Sequence, residues 1–293
     1  MKKILLLGVA FFVGVTSFAQ DDLMDMLDDG EKTTNCAFAT FKDSRIINVQ
    51  SNETVGAGVL KFVISHRFGK LSDGAYGLFG LDNATIRLGL DYGITDNIQV
   101  GLARSSFEKT YEGNLKFKLL RQSSGTREMP LSITWYSGMY INGLRAPEDA
   151  YSPSFVERMS FAHQVVFARK FGQAFSLAVV PTYMHDNLVL TNDMNNDQLA
   201  VGAGGRLKIT NRLSLNAEYH YRIIQQFEQD DPYNNSFSIG VDIETGGHVF
   251  QLHVTNSRGM FEPAFIGETT GRWVDGDIYF GFNISRVFTI VRR

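Results

Sequence analysis

The chain is poor in the residues that build disulfides, metal centres and membrane helices. Its 293 residues include one cysteine, Cys36, and six prolines, and no run of 18 apolar residues follows the N-terminal segment. A single thiol excludes an internal disulfide and a cysteine-rich metal site. Cys36 also lacks the preceding apolar residues of a lipoprotein cysteine, so we expect a lone unpaired thiol. The missing apolar runs exclude a protein that crosses a membrane with helices.

An excess of positive charge is missing as well. The formal net charge is −3, and without Lys2 and Lys3 the chain holds 26 basic residues against 31 acidic ones. No basic stretch is interleaved with aromatic residues, so nucleic acid is not an expected partner. No histidine, cysteine and carboxylate spacing matches a known metal motif, and no cofactor is expected.

The first nineteen residues have the pattern of a secretory signal peptide. Lys2 and Lys3 precede an apolar core over residues 4–15, and Ser17 and Ala19 are the small residues that a signal peptidase reads. Cleavage is predicted before Gln20. The alternative is an N-terminal membrane anchor, but the apolar run is shorter than the roughly 20 residues of a spanning helix. The pattern therefore predicts export.

Apolar residues recur with a period of two, which is the signature of β-strands. In residues 84–94, Ile86 and Leu88 alternate with Arg87 and Gly89, and successive side chains of a strand leave it on opposite faces. The same alternation predicts twelve strands, at 58–68, 84–94, 97–107, 110–121, 130–142, 159–171, 174–184, 197–210, 212–224, 235–245, 247–257 and from residue 277.

The lengths of strands and connections favour a transmembrane barrel over a soluble sandwich. Most strands approach the 9–11 residues of a tilted membrane-spanning strand, and their apolar faces are nearly free of charge. Tight turns such as residues 95–97 and 245–247 alternate with long loops such as 143–158 and 258–275. The prediction is an all-β, antiparallel up-and-down barrel of about twelve strands over residues 58–293, in a Gram-negative outer membrane with periplasmic termini.

Two sets of residues resemble known barrels. The run from Asp277 to Ser285 resembles the final-strand signal of outer-membrane barrels. The chain also resembles an uncharacterised outer-membrane β-barrel family of Bacteroidota-type Gram-negative bacteria, a domain of unknown function. The residues that carry this resemblance are His66-Arg67-Phe68-Gly69, Leu78-Phe79-Gly80-Leu81-Asp82, residues 86–96, Arg104-Ser105-Ser106, Lys109-Thr110-Tyr111-Glu112-Gly113 and Thr255-Asn256-Ser257-Arg258-Gly259-Met260. The resemblance implies the barrel fold and no catalytic residue.

The polar faces of the predicted strands collect charged residues that would face the lumen. They either select a solute in a water-filled channel or binding lumen, or form ion pairs that seal the barrel. The candidates are Arg87, Asp91, Glu112, Lys116, Lys118, Arg206, Lys208, Glu218, His220, Arg222, Asp242, Glu244 and His253.

Residues 20–57 precede the barrel and begin with an acidic stretch. Six carboxylates come before the first basic residue, Lys32. One hypothesis is a plug that folds into the lumen against basic residues there, namely Lys116, Lys118, Arg206 and Lys208. The alternative is a solvated periplasmic tail, which is usual for charge runs.

Histidines allow two further hypotheses. His220 and His253 share the inward parity and could share a metal, although hydrogen bonds to carboxylates are the simpler reading. His163 has outward parity and could serve an outer-membrane phospholipase, but Ser160 has the opposite parity and no Gly-x-Ser-x-Gly elbow occurs.

Aromatic residues in the predicted loops have two readings. They form the interfacial girdle, or loop tips that contact a partner. The set comprises Tyr76, Phe79, Tyr151, Phe155, Phe227, Tyr233, Phe261, Phe265 and Trp273.

The leading functional hypothesis is a narrow charged channel or binding lumen for small polar solutes. The alternative is a closed barrel that acts as a membrane anchor or partner platform, and a lipid-modifying enzyme comes third. Expected contacts are outer-membrane lipid, a small polar solute and a partner bound at the loops.

Overall fold

The computed structural model describes residues 33–189, 191, 194–227 and 230–291. Within this part of the chain, twelve antiparallel strands form one closed barrel in which chain neighbours are also sheet neighbours. The predicted up-and-down barrel is confirmed. The predicted signal peptide and the acidic residues 20–32 lie outside the described residues.

The barrel strands are 8–13 residues long, which suits strands that cross a bilayer at a tilt. They are β2 (Val59–Lys70), β3 (Ala84–Thr95), β4 (Ile98–Ser105), β5 (Tyr111–Leu120), β7 (Ser132–Ile141), β8 (Met159–Phe171), β9 (Phe175–Asp186), β10 (Asp197–Lys208), β11 (Leu213–Ile224), β12 (Phe237–Thr245), β13 (His248–Thr255) and β14 (Tyr279–Thr289). Two short strands, β1 (Thr34–Cys36) and β6 (Ser123–Gly125), pair with each other outside the barrel.

The two ends of the barrel differ. β2 begins and β14 ends at the same end, which also carries tight turns such as Gly246-Gly247, and we call it the turn end. The opposite end, the loop end, carries the longer connections and the short helical turns Leu71–Asp73, Leu78–Gly80, Phe107–Lys109, Pro263–Gly267 and Trp273–Asp275. Pairing of β14 with β2, from Tyr279 against Lys70 to Thr289 against Val59, closes the wall.

The outer face of the wall is apolar and exposed. Leu88, Leu102 and Leu119 are 43%, 69% and 60% exposed, and they recur around the barrel at alternate positions. A water-soluble protein rarely exposes so wide an apolar surface. In lipid the same surface is satisfied, and closure leaves no strand edge unpaired. No helix in the described residues has the length and hydrophobicity needed to span a bilayer.

The interior of the barrel is filled by two segments that belong to no wall strand. From the turn end, residues 37–57 enter the lumen, where Phe41, Ile46 and Val49 pack on the apolar inner faces of β8 and β9. From the loop end, residues 256–269 fold inward, and Phe265 lies against Ala162 and Met184 of the wall. In the first segment we call residues 44–51 the lumen hairpin, with residues 37–43 and 52–57 as its flanks. We call the second segment the inserted loop.

Candidate functional site

The lumen hairpin is a tight backbone turn whose tip is held by one buried wall carboxylate. Ser51 N donates to Ser44 O at 2.9 Å and Ile46 N to Val49 O at 2.8 Å. At the tip, Glu218 of β11 accepts backbone N–H bonds from Ile47, Asn48 and Val49 at 2.9–3.1 Å. A carboxylate that receives three amide donors satisfies backbone groups that would otherwise be costly to bury.

The side chain of Asn48 completes the contact of the tip with the wall. Its amide nitrogen donates to Glu218 at 2.8 Å and to Ser238 at 3.2 Å. Its carbonyl oxygen accepts a bond from Arg67 of β2 at 2.5 Å. The tip is thereby tied to two parts of the wall, β11 with β12 and β2.

Every charged side chain of residues 37–57 has an ion-pair partner. Lys42 pairs with Glu244, Asp43 with Lys61, Arg45 with Glu112 and Glu262, and Glu53 with Lys118. Lys116 adds hydrogen bonds to the carbonyls of Ser44 and Glu53 at 2.7 and 3.1 Å. Buried ions need such partners because desolvation alone is expensive.

The lumen hairpin and the inserted loop meet inside the barrel at Glu262. This fully buried carboxylate pairs with Arg45 at 3.0 Å. It also accepts hydrogen bonds from Gln50 at 2.8 Å and from the Tyr140 hydroxyl at 2.6 Å. The lumen hairpin and the inserted loop therefore close the lumen together.

Glycines in the wall make room for the hairpin. A Cβ on Gly93 would lie 2.1 Å from the carbonyl oxygen of Gly56, and one on Gly204 would lie 2.4 Å from Ile46 Cδ1. Distances this short are sterically forbidden, so the wall is shaped around the segment that occupies the lumen.

The structure places all the predicted charged positions on the inner face of the wall. Direct contacts with residues 37–57 are made by Asp91, Glu112, Lys116, Lys118, Arg206, Glu218 and Glu244. Three others serve the wall or the loops: Arg87 bonds Glu112, Asp242 accepts from Gln251 and Arg222 pairs with Asp231.

The plug hypothesis named four basic contacts for residues 20–57. Within the described part of that segment, the contacts with Lys116, Lys118 and Arg206 are made by backbone carbonyls and Glu53. The acidic stretch itself lies outside the described residues.

Sequence reasoning missed two basic residues of the first barrel strand. Lys61 and Arg67 face inward, and both contact the hairpin region. Their parity was visible beside the apolar Leu60, Phe62 and Ile64. Glu262 and Arg45 were missed because no periodic pattern marks a polar residue of a loop that folds into a lumen.

The histidine hypotheses need correction. The inward-facing His220 interacts with the Ser236 hydroxyl and His253 with Arg67, so within the described residues neither is hydrogen-bonded to a carboxylate. No group of three metal-ligating side chains occurs among the described residues.

Two loop aromatics were also misread as girdle or loop-tip residues. Phe261 and Phe265 are buried inside the barrel, where Phe261 stacks on Tyr140 with centroids 5.7 Å apart. Their apolar surface explains why the inserted loop turns inward. Tyr76, by contrast, is fully exposed at the loop end.

A serine does lie beside His163 on the outer face, but it is Ser137 of β7 rather than Ser160. The Ser137 hydroxyl and His163 Nδ1 are 3.0 Å apart, and the His163 ring stacks with Trp135 and Tyr183. Within the described residues, no Asp, Glu or Asn side chain is hydrogen-bonded to His163. The pair lacks the third group that orients a catalytic histidine.

Above the inserted loop, the loop end contains a cavity of about 410 Å³. Carboxylates line it at Glu108, Asp186 and Glu268. Burial and repulsion from the neighbouring carboxylates Glu108 and Asp186 raise the pKa of Glu268 to about 8. Burial, with repulsion from Asp186, also raises the pKa of Glu108.

A family model described as "Membrane bound beta barrel domain (DUF5777)" matches residues 41–288. The chain belongs to this family. The matched region contains the lumen hairpin as well as nearly all of the wall. The barrel is of the outer-membrane type. No curated protein matches the chain.

Several solved outer-membrane barrels are similar to it. The NanC porin is 7% identical with a TM-score of 0.49, covering 79% of this chain and 100% of that chain. An outer membrane channel from Pseudomonas putida F1 is 13% identical with a TM-score of 0.47, covering 81% and 98%. Omp33 of Acinetobacter baumannii is 8% identical with a TM-score of 0.43, covering 82% and 100%.

Proposed function

We propose that the protein is a narrow outer-membrane pore for small polar solutes that rests in a closed state and opens when the lumen hairpin leaves the lumen. The observation that carries this proposal is that a separate segment of the chain, and not the side chains of the wall alone, fills the lumen. A permanently sealed small barrel can be filled by the inward side chains of its own strands. Here the wall instead has glycines at Gly93 and Gly204, and a separate segment occupies the space.

The contacts of the hairpin suit a reversible closure. Many of them are ion pairs and hydrogen bonds, such as Arg45 to Glu262 and Asn48 to Glu218, beside the apolar contact of Phe41, Ile46 and Val49. Water can replace such partners when the segment moves, whereas a large apolar contact would have to be exposed at full cost.

The wall left behind would favour anions. Among inward strand positions, basic side chains outnumber acidic ones, and rings of like charge select ions in other pores. The basic set is Lys61, Arg67, Arg87, Lys116, Lys118, Lys170, Arg206, Lys208 and Arg222, and the acidic set is Asp91, Glu112, Asp186, Glu218, Asp242 and Glu244.

Planar-bilayer recording tests the proposal. The variant Arg45→Ala with Asn48→Ala loosens the hairpin and leaves the wall unchanged. We expect few openings from the wild-type protein and frequent discrete steps from this variant, with a reversal potential in a salt gradient that shows anion preference. The matched control is Asn211→Ala with Arg212→Ala in an exposed turn, which should behave as the wild type does.

A closed barrel that serves as a membrane anchor or partner platform is the second candidate. It is favoured by the inserted loop, which fills the loop half of the lumen independently of the hairpin. Silence from both the wild-type and the hairpin variant, in protein shown to be folded by heat-modifiable gel migration, would support the platform and overturn the pore.

A lipid-modifying enzyme is the weakest reading. Only the Ser137–His163 contact favours it, and the outward ring stack of His163 explains that contact without catalysis. We expect no release of fatty acid from phospholipid vesicles that contain the folded protein. Release that disappears in Ser137→Ala would contradict this.

We further propose that residues 1–19 are removed on export. The support is the basic, apolar and small-residue pattern that ends at Ala19. Intact-mass measurement of the protein from outer membranes should give a chain that begins at Gln20, and retention of residues 1–19 would favour the anchor.

A further inference from the structure

The loop-end cavity has the dimensions and the walls of a small-molecule site. Its volume of about 410 Å³ falls within the usual range for such sites, roughly 300–1,000 Å³. The floor is the inserted loop with Phe261 and Pro263, beside Tyr140 of the wall. Three loops of the loop end form the sides, with apolar contributions from Leu144, Pro153, Leu188 and Met194.

Three carboxylates from three different elements converge on this cavity, beside Glu157, which Tyr151 and Ser154 of its own loop hold. Glu108 comes from the link between β4 and β5, Asp186 from the end of β9 and Glu268 from the inserted loop. Burial, together with repulsion from Glu108 and Asp186, raises the pKa of Glu268 to about 8. None of the three forms an ion pair with any residue in the described part of the chain.

The partners that these carboxylates do have are neutral. Asn142 donates to Glu108 at 3.1 Å and Gln198 to Asp186 at 3.0 Å. Neutral donors stabilise a carboxylate less than a cation does. The three carboxylates therefore lack an ion-pair partner among the described residues.

Two buried polar atoms of the cavity have no partner. Thr110 is 2% exposed and Gln226 is 4% exposed, and both line the cavity. Thr110 Oγ1 and Gln226 Oε1 accept or donate no hydrogen bond within the described residues. Leaving such atoms unpaired is costly, and a bound ligand with N–H donors would satisfy them.

The arginines at the rim do not neutralise the carboxylates. The guanidinium of Arg158 is bound to the carbonyls of Pro153 and Leu144 within its own loop. The side chain of Arg145 is exposed. Both leave the acidic interior of the cavity available.

We propose that this cavity binds a small organic cation that carries primary amine or guanidinium groups on an apolar body. Its N–H donors bond Glu108, Asp186 and Glu268, and the unpaired oxygens of Thr110 and Gln226 accept further bonds. The rings of Tyr140 and Phe261 offer an apolar and cation-attracting floor. Metal ions are a poorer fit, because no three ligating side chains of the described residues meet at metal distance. The site forms in the closed barrel, so it does not depend on pore opening.

Calorimetric titration of the folded full-length protein in detergent tests this inference. The probe is 1,5-diaminopentane, and the neutral 1,5-pentanediol has the same length without the charges. We expect the diamine to bind and the diol not to bind. Glu268→Gln should weaken diamine binding about tenfold, since a hydrogen bond to a charged group is lost. Glu148→Gln removes the same charge from an exposed position outside the cavity and should leave binding unchanged.

A gain-of-binding variant keeps the test independent of folding defects. Gln226→Glu places a further carboxylate at an unpaired acceptor and should tighten diamine binding several-fold. Equal binding of diamine and diol, or diamine binding that neither Glu268→Gln nor Gln226→Glu changes, would overturn the proposal.

The pH dependence gives a second readout. The titratable and charged groups that line the cavity with Glu268 are Glu108, Tyr140, Arg145, Tyr151, Glu157, Arg158, Asp186 and Tyr233. At pH 6 the free protein holds a proton on Glu268 that the cation must displace, so binding should release a proton and be weaker than at pH 9. Affinity that does not rise between pH 6 and pH 9 would contradict the role of Glu268.

Discussion

The two halves of the lumen solve the burial of polar groups in opposite ways. In the turn half, the hairpin brings its own ions, and Arg45 and Asp43 each meet a partner of opposite charge. In the loop half, Glu108 and Asp186 have only neutral hydrogen-bond donors among the described residues, and Thr110 Oγ1 has no partner there. The contrast teaches that the turn half is built to be filled by this chain and the loop half to be filled by something else.

The same contrast separates stability from binding. Buried charges that are paired rigidify a structure, whereas buried charges without a partner of opposite charge cost free energy until a ligand arrives. We therefore expect substitutions in the turn half to act on stability and gating, and those in the loop half to act on ligand affinity.

Glu218 provides the largest expected effect. Glu218→Ala leaves the amides of Ile47, Asn48 and Val49 buried without an acceptor, and should lower the unfolding free energy by about 3–5 kcal/mol. Urea unfolding in detergent micelles measures it. The control is Glu244→Ala, whose partly exposed ion pair with Lys42 should contribute less than about 1 kcal/mol. Equal losses for both would break the distinction between a buried anchor and a rim contact.

The next largest expected loss of stability comes from substituting glycines of the wall. Gly93→Ala directs a Cβ at the backbone oxygen of Gly56, and should cost about 1–3 kcal/mol because backbone cannot easily give way. Gly204→Ala meets only the flexible end of Ile46. Its smaller cost should vanish in an Ile46→Ala background, measured as a double-mutant cycle. Additive costs in that cycle would show that the hairpin does not occupy the lumen beside Gly204.

The pH dependence of stability probes the loop half. Because the folded-state pKa of Glu268 is about 8 and the unfolded value is near its ordinary one, the folded protein binds the extra proton between them. Stability of the wild type relative to Glu268→Gln should therefore fall as pH rises from about 4.5 to about 8, by at most about 1.4 kcal/mol per pH unit, and level off above. Parallel pH curves for the two proteins would place Glu268 in an ordinary solvated setting.

The smallest expected effects on stability come from two threonines, one in each half of the lumen. Thr134→Val removes a bond of 3.2 Å to the Asn52 carbonyl and should cost about 1 kcal/mol. Thr110→Val removes a hydroxyl without a described partner, and its cost should be near zero in the empty protein. If Thr110→Val were the costlier change, the two halves would not differ in the way described.

The wall of the barrel was predictable because its physics is local and periodic. Alternation in β3 or β11 marks which side chains meet lipid and which meet the interior. The predicted bounds for β8, residues 159–171, coincide with the observed strand. Its alternation was weak for a reason that the structure supplies: Val166 and Ala168 face inward, yet they are apolar because Phe41 and Ile46 pack on them.

The contents of the lumen were much harder to predict. The contact of Glu218 with residues 47–49 joins positions about 170 residues apart, and no short-range pattern encodes it. The loop-end cavity depends in the same way on Glu108, Asp186 and Glu268, which come from separate connections. Loop residues such as Phe265 have no period from which an inward orientation could be inferred.

The most direct test of the closed pore is a combined measurement of current and hairpin exposure. In a Cys36→Ser background, Ile47→Cys places the only thiol at the buried hairpin tip, and a membrane-impermeant maleimide reports its exposure in the bilayer used for recording. We expect the thiol to be protected while the barrel is silent, and labelling to rise in proportion to open time. Ion flow through a barrel whose thiol stays protected would contradict a pore that opens when the lumen hairpin leaves the lumen.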